Sequence, residues 1–146
     1  MNPDLADAYI NRGIAYGYKG EYDKAIADFN KAIELNPDDA EAYYNRGNAF
    51  YEKGEYDKAI ENYNKAIELN PDDAGAYNNR GIAFDEKGEY DKAIEDYSKA
   101  IELNPDLAGA YINRSNTYEA LGDTEKAEAD MKKAEELRAQ KGGSAD

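Results

Sequence analysis

One tripeptide, Asn-Pro-Asp, stands at Asn2-Pro3-Asp4, Asn36-Pro37-Asp38, Asn70-Pro71-Asp72 and Asn104-Pro105-Asp106, a return every 34 residues. Behind each copy runs nearly the same text: a Tyr, an Asn-Arg-Gly, an aromatic, then Lys-Gly-Glu-Tyr-Asp-Lys-Ala-Ile and Lys-Ala-Ile-Glu-Leu, with most of the departures in the last copy. A fixed period of this length marks stacked supersecondary units, each covering the apolar face its neighbour cannot bury alone. It decides the fold class before any local propensity is weighed, and it describes a chain built to present a surface.

The second unit shows why each copy is a pair of helices. Asp38, three residues before Glu41, reads as a capping-box-like helix start, and Pro37 stops the preceding helix and restricts Asn36. Tyr43, Gly47 and Phe50 recur at helical spacing, and Gly54 is placed to end that helix in a left-handed conformation. Ala59, Ile60, Tyr63, Ala66, Ile67 and Leu69 then give a second apolar stripe with a period near 3.6. The expectation is a helical hairpin in which Gly47 lets Ala59 and Ala66 approach closely. Four hairpins give an all-α array with eight helices, in repeats of about 6–39, 40–73, 74–107 and 108–139, followed by a flexible tail at 140–146.

Composition narrows the function. With 32 acidic against 18 basic residues, the net charge is -14, which opposes nucleic acid and anionic membrane surfaces. Cysteine and histidine are both absent, so the chain has no disulfide, thiolate nucleophile, zinc site or imidazole base. No apolar run reaches the length of a membrane span, and no basic, apolar leader opens the chain, so a soluble cytoplasmic protein is expected. The pairs Asp38-Asp39 and Asp72-Asp73 can hold a hard cation weakly, but helix capping explains them more simply. No nucleophile–base or cofactor constellation appears, so no enzyme, cofactor or metal is expected.

In this setting the chain resembles the tetratricopeptide repeat family. The matching residues are Tyr9, Tyr43, Tyr77 and Tyr111; Gly13, Gly47 and Gly81; Tyr16, Phe50, Phe84 and Tyr118; Ala25, Ala59, Ala93 and Ala127; Phe29, Tyr63 and Tyr97; Ala32, Ala66, Ala100 and Ala134; and Pro37, Pro71 and Pro105. Tyr stands in place of the family's usual Trp, Arg12, Arg46, Arg80 and Arg114 in place of its Leu, Ser115 in place of Gly, and Met131 in place of the second-helix aromatic. The arginines can bury their stems and send their heads to carboxylates along the array. The resemblance implies an α-solenoid wound as a right-handed superhelix, whose first helices line a concave groove for extended peptides or partner helices.

Comparison of the copies refines this. Four of the differences between the second and third units, Glu41/Gly75, Tyr44/Asn78, Asn48/Ile82 and Tyr51/Asp85, fall on one stripe of the first helix, away from the face expected to carry Gly47 and Phe50. The stripe reads either as a surface varied to suit a ligand or as a solvated face that drifted. Asn11, Asn45, Asn79 and Asn113 form an unvaried ladder beside it, able to hold a peptide backbone or to bond within the array. The candidate peptide-binding residues are Asn11, Tyr44, Asn45, Asn48, Tyr51, Asn78, Asn79, Ile82, Asp85, Ile112, Asn113 and Asn116. The resemblance also implies that some arrays of the family clamp chaperone C-terminal carboxylates through lysines and asparagines in the groove. Here the groove carries Asp7, Glu41, Asp85 and Glu119 with no Lys on the stripe, so a neutral or cationic peptide or protein segment is the expected partner.

The last copy breaks the pattern. Glu128 and Glu135 replace the isoleucines at 26, 60 and 94 and at 33, 67 and 101, which reads as a polar capping helix. The first unit has no comparable cap, and Tyr18 and Ile10 are expected on its outer face, so the expected monomer keeps a route to weak self-association. Near-identity of the copies fits both a consensus-type engineered scaffold with no native ligand and a natural array with recent duplication. The function expected is a non-enzymatic protein-interaction module, the engineered scaffold being the alternative.

Overall fold

The Pro and Gly punctuation of each repeat is realised as helix ends. The computed structural model describes residues 2–143, and among them lie eight helices and no strand: α1 (Pro3–Tyr18), α2 (Tyr22–Leu35), α3 (Ala40–Glu52), α4 (Tyr56–Leu69), α5 (Ala74–Glu86), α6 (Tyr90–Leu103), α7 (Ala108–Ala120) and α8 (Thr124–Gly143). Between α3 and α4, Gly54 takes φ +79°. Its N–H donates to the Tyr51 carbonyl at 2.8 Å and the Glu55 N–H to the Phe50 carbonyl at 2.9 Å. This double bond pattern is the Schellman closure, and it needs a residue that tolerates positive φ. Gly20, Gly88 and Gly122 close the other three pairs with φ of +77°, +78° and +83°.

The N-terminal cap of α3 is Asp39 rather than Asp38. Its carboxylate accepts from the Glu41 and Ala42 N–H groups at 3.1 and 3.4 Å. Asp38 sits in the preceding turn, its own N–H donating to Asn36 Oδ1 at 3.3 Å. Asp73 caps α5 in the same way through the Ala76 N–H. At the equivalent point of α7 stands Leu107, which supplies no side-chain cap.

The helices divide into two compact units between Asp72 and Asp73. In the first, α1 packs on α2, α3 on α4, and α2 on α3, with α1 also touching α3. Ile10, Ala25, Phe29, Ala32, Ala42 and Ala49 form its core, flanked by Ile26 and Ile33. Ile10 is only 1% exposed, so it does not lie on an outer face as expected, whereas Tyr18 is 90% exposed. The reason is register: Ile10 points to the side where α1 meets its neighbours and joins the Phe29 cluster. In the second unit the pairs α5–α6 and α7–α8 are joined by α6 on α7, with α5 also touching α7. There Tyr111, Ala134 and Leu137 form a core cluster against Ile101 and Ile112.

The helix α8 corrects the expected boundary at Ala139. Its 20 residues run to Gly143, because Ala139, Gln140 and Lys141 are good helix formers and no turn signal precedes Gly142. Residues 144–146 of the expected tail lie outside the described residues. Glu128 and Glu135 are exposed on α8. Among the described residues no helix is long and apolar enough to cross a membrane.

Candidate functional site

The varied stripe is built around the buried ring of each second helix. A Cβ added at Gly47 would come within 2.8 Å of the Tyr63 ring, at Gly81 within 2.7 Å of the Tyr97 ring, and at Gly13 within 2.6 Å of the Phe29 ring. The glycine therefore makes room first for an aromatic; the equivalent of Ala59 also comes close, the Ala93 carbonyl lying 3.2 Å from a Cβ added at Gly81. Burying such a ring contributes about 1.5–3 kcal/mol, enough to outweigh the roughly 1 kcal/mol that a helical glycine costs. In the fourth copy both partners change together: Ser115 occupies the glycine site, donating to the Ala127 carbonyl at 2.7 Å, and the aromatic becomes Met131.

A buried phenol also needs a hydrogen-bond acceptor, and the stripe supplies it. Tyr63 donates to Asn48 Oδ1 at 2.6 Å, whereas Tyr97 donates to the Asp85 carboxylate, one helical turn further along the first helix. Phe29 has no hydroxyl, and the first copy carries Ile14 and Gly17 at those two positions. Part of the variation is thus matched to the inner ring, and the stripe is not remote from the packing face. Burial pushes the Tyr63 phenol well above its ordinary range, since the anion would lose its water.

The same stripe is where neighbouring first helices meet within a unit. In the second unit Asn113 donates to Asn78 Oδ1 at 3.1 Å, and Thr117 approaches Asp85 Oδ2 at 2.7 Å. The first unit has Ile10 and Gly17 in place of Asn78 and Asp85, and Ala49 in place of Thr117. Asn45, lacking an acceptor at Ile10, donates to the Glu41 carbonyl of its own helix at 2.9 Å. The truncated Gly17 and Ala49 leave an open cleft of about 300 Å³, lined by α1, α2 and α3. Its walls include Ile14, Phe29, Tyr18 and Tyr22, with Asn45, Asn48 and Glu52 as polar members.

On another part of the first helices, the arginines grip the second helices. Arg12, Arg80 and Arg114 each make a two-pronged bond to Asp28, Asp96 and Asp130, with both distances in each pair between 2.7 and 2.8 Å. These bonds hold the three guanidinium groups above their ordinary pKa. Arg46 differs: its Nε donates to Asn62 Oδ1 at 2.6 Å and its NH1 to Asn30 Oδ1 at 2.9 Å. With amides for partners, partial burial lowers its pKa instead.

Of the sequence-selected residues, Asn45 and Asn48 line the cleft, and Asn48 also serves Tyr63. Tyr44 and Tyr51 are half-buried, Tyr44 against Tyr63 with ring centres 6.1 Å apart and Tyr51 against Tyr56 at 5.4 Å. Asn78, Asp85 and Asn113 join the bonds inside the second unit, where Asn79, Ile82 and Ile112 are also half-buried. Asn11 and Asn116 are exposed. The cleft adds Ile14, Gly17 and Glu52, and the second unit adds Thr117. Their signal was present in the copies, since Gly17 and Thr117 break the columns Gly17/Tyr51/Asp85 and Ala49/Ala83/Thr117. Among the described residues no group of three or more acidic side chains is placed to hold a metal ion.

Comparison with known proteins agrees with this architecture. Tetratricopeptide and TPR repeat models match residues 15–54, 47–86, 74–107 and 97–129. No curated protein matches the chain. Among solved structures, a crystal structure of MamA is 34% identical, covers 97% of this chain and 83% of its own, and superposes with a TM-score of 0.89. MamA from Desulfovibrio magneticus RS-1 is 26% identical over 92% of this chain and 76% of its own, with a TM-score of 0.85. The first TPR of Spaghetti (RPAP3) bound to the HSP90 peptide SRMEEVD is 26% identical over 84% of this chain and 97% of its own, with a TM-score of 0.80. Glycine-closed helix pairs, a glycine seated on the next helix's ring, and these matches converge: the chain belongs to the tetratricopeptide repeat family, a protein-interaction module rather than an enzyme.

Proposed function

We propose that the chain binds an extended peptide on the faces of its first helices, with the cleft of the first unit receiving one of the peptide's side chains. The observation that carries this reading is the cleft itself, about 300 Å³ between α1 and α3, open to solvent and lined by both apolar and polar groups. Pockets of this size and mixed lining suit a single anchoring side chain. The RPAP3 relative, solved with a peptide bound, supports a peptide as the kind of ligand. That peptide, SRMEEVD, is acidic, whereas Glu52 is the carboxylate of the cleft here. A neutral or cationic segment is therefore the partner proposed.

Titration against a peptide library, with Tyr44→Ala and Asn45→Ala as variants, tests the reading. Binding weakened by either substitution supports it, and affinities that neither variant moves defeat it. The competing reading is an engineered consensus scaffold with no native ligand, favoured by the near-identity of the second and third copies. It predicts that no library member binds. In both readings the exposed Glu128 and Glu135 act as the polar end of a monomeric array, and replacing both with Ile raises self-association measured by light scattering.

A further inference from the structure

We infer that the first-unit cleft is selective for a lysine or arginine side chain of the bound peptide, with Glu52 as the residue that sets the preference. The inference rests on the peptide-binding reading above and adds a ligand chemistry to it.

Much of the lining is hydrocarbon, from Ile14, Ala25, Phe29, Ala49 and the Tyr18 and Tyr22 rings. Such a surface accepts the methylene stem of a long side chain, which lies along apolar groups while its head stays wet. The polar members are acceptors for a cation. Glu52 carries a carboxylate, and Asn45, having spent an amide hydrogen on the Glu41 carbonyl, keeps Oδ1 as an acceptor. No lysine or arginine is among the residues that line the cleft. The tyrosine rings among the lining residues add attraction for a cation. A glutamate or a C-terminal carboxylate would instead meet Glu52 with no compensating positive charge.

The corresponding place in the second unit is filled from within, by Asp85 with Thr117 and Tyr97. The preference is therefore assigned to the first unit alone. Gly17 is what keeps the space open, and a Cβ there would meet nothing within 4 Å, so the cleft can be filled without disturbing the packing.

The test uses the full chain and acetylated, amidated heptapeptides in an alanine–serine background, with lysine, norleucine, leucine or glutamate at the centre. Binding is read from the backbone amide signals of Gly13 and Gly17 in NMR titrations. The lysine peptide is expected to bind about threefold more tightly than the norleucine peptide, one exposed ion pair to Glu52 being the difference, and the glutamate peptide weakest. Glu52→Gln should bring the lysine-to-norleucine ratio close to one. Gly17→Leu, which fills the cleft and favours the helix, should abolish the shift of the remaining Gly13 reporter for all four peptides. Norleucine binding as tightly as lysine, or a ratio insensitive to Glu52→Gln, overturns the cation preference and leaves peptide binding standing. If no peptide moves any amide signal, peptide binding itself falls, and this inference with it.

Discussion

Thr117 brings its hydroxyl to 2.7 Å from the Asp85 carboxylate, fastening α7 to α5 at the level where the first unit has only Ala49 facing Gly17. Asp85 holds the Tyr97 phenol at the same time, so one carboxylate joins three helices of the second unit. Thr117→Val keeps the shape of the side chain and removes the donor. It should lower stability by about 1–2 kcal/mol, read as a lower urea midpoint for the full chain, while the matching Ala49→Val has no bond to break. An unchanged midpoint would mean that Thr117 serves only the Asn113 carbonyl of its own helix, 3.0 Å away.

Arg46 is the guanidinium whose partners are amides where the other three have carboxylates. Asn62→Asp should restore the two-pronged pair seen at Arg80 and Asp96, raising stability by about 1 kcal/mol after loss of the Asn62 bond to the Lys58 carbonyl. Chemical denaturation of the single variant checks it, and a midpoint at or below the parent's rejects it.

Gly47→Ala should destabilise by about 1–3 kcal/mol, although alanine is the better helix former, because its methyl meets the Tyr63 ring. Adding Tyr63→Met, the solution used beside Ser115, should cost less than the sum of the two changes. A double-mutant cycle in urea measures that coupling, and strict additivity would show that ring and glycine do not constrain each other.

Leu107 begins α7 with no side-chain cap where Asp39 and Asp73 bond to the first free N–H groups. Leu107→Asp should add about 1 kcal/mol. Native-state hydrogen exchange at the start of α7 should slow in step, and exchange that stays the same or quickens would contradict the capping account.

Tyr63 gives the chain an alkaline limit. Its folded pKa lies above the unfolded value near 10, so the contribution is complete below pH 10 and shrinks as pH rises past it, when only the unfolded chain ionises there readily. Urea midpoints between pH 8 and 11 should fall, and Tyr63→Phe should flatten that fall. An equal slope in the variant would assign the effect to other tyrosines.

Helices, turns and the internal repeat were legible because each depends on residues close together in the chain. Gly54 ending α3 and Pro37 separating two pairs follow from backbone allowances that a sequence displays directly. The relations that escaped it run between helices. Gly47 meets the Tyr63 ring most closely, and Asn48 and Asp85 serve the equivalent phenols of Tyr63 and Tyr97 from different turns, because side chains lean along their helices by amounts that spacing does not encode. The burial of Ile10 depends likewise on how α1 is rotated toward Phe29. The cleft was hardest to see, since it consists of what Gly17 and Ala49 lack. Only comparison with filled copies makes an absent side chain visible.

Each arginine clasp that couples a first helix to its second, as Arg12 to Asp28 or Arg114 to Asp130, spans 16 residues of chain. The entropy lost in closing so short a loop is small, and it is recovered as soon as the glycine turn brings the two helices together. Each hairpin can thus pass its own checkpoint of correct alignment while the polypeptide is still leaving the ribosome, before the following copy of the repeat has been made.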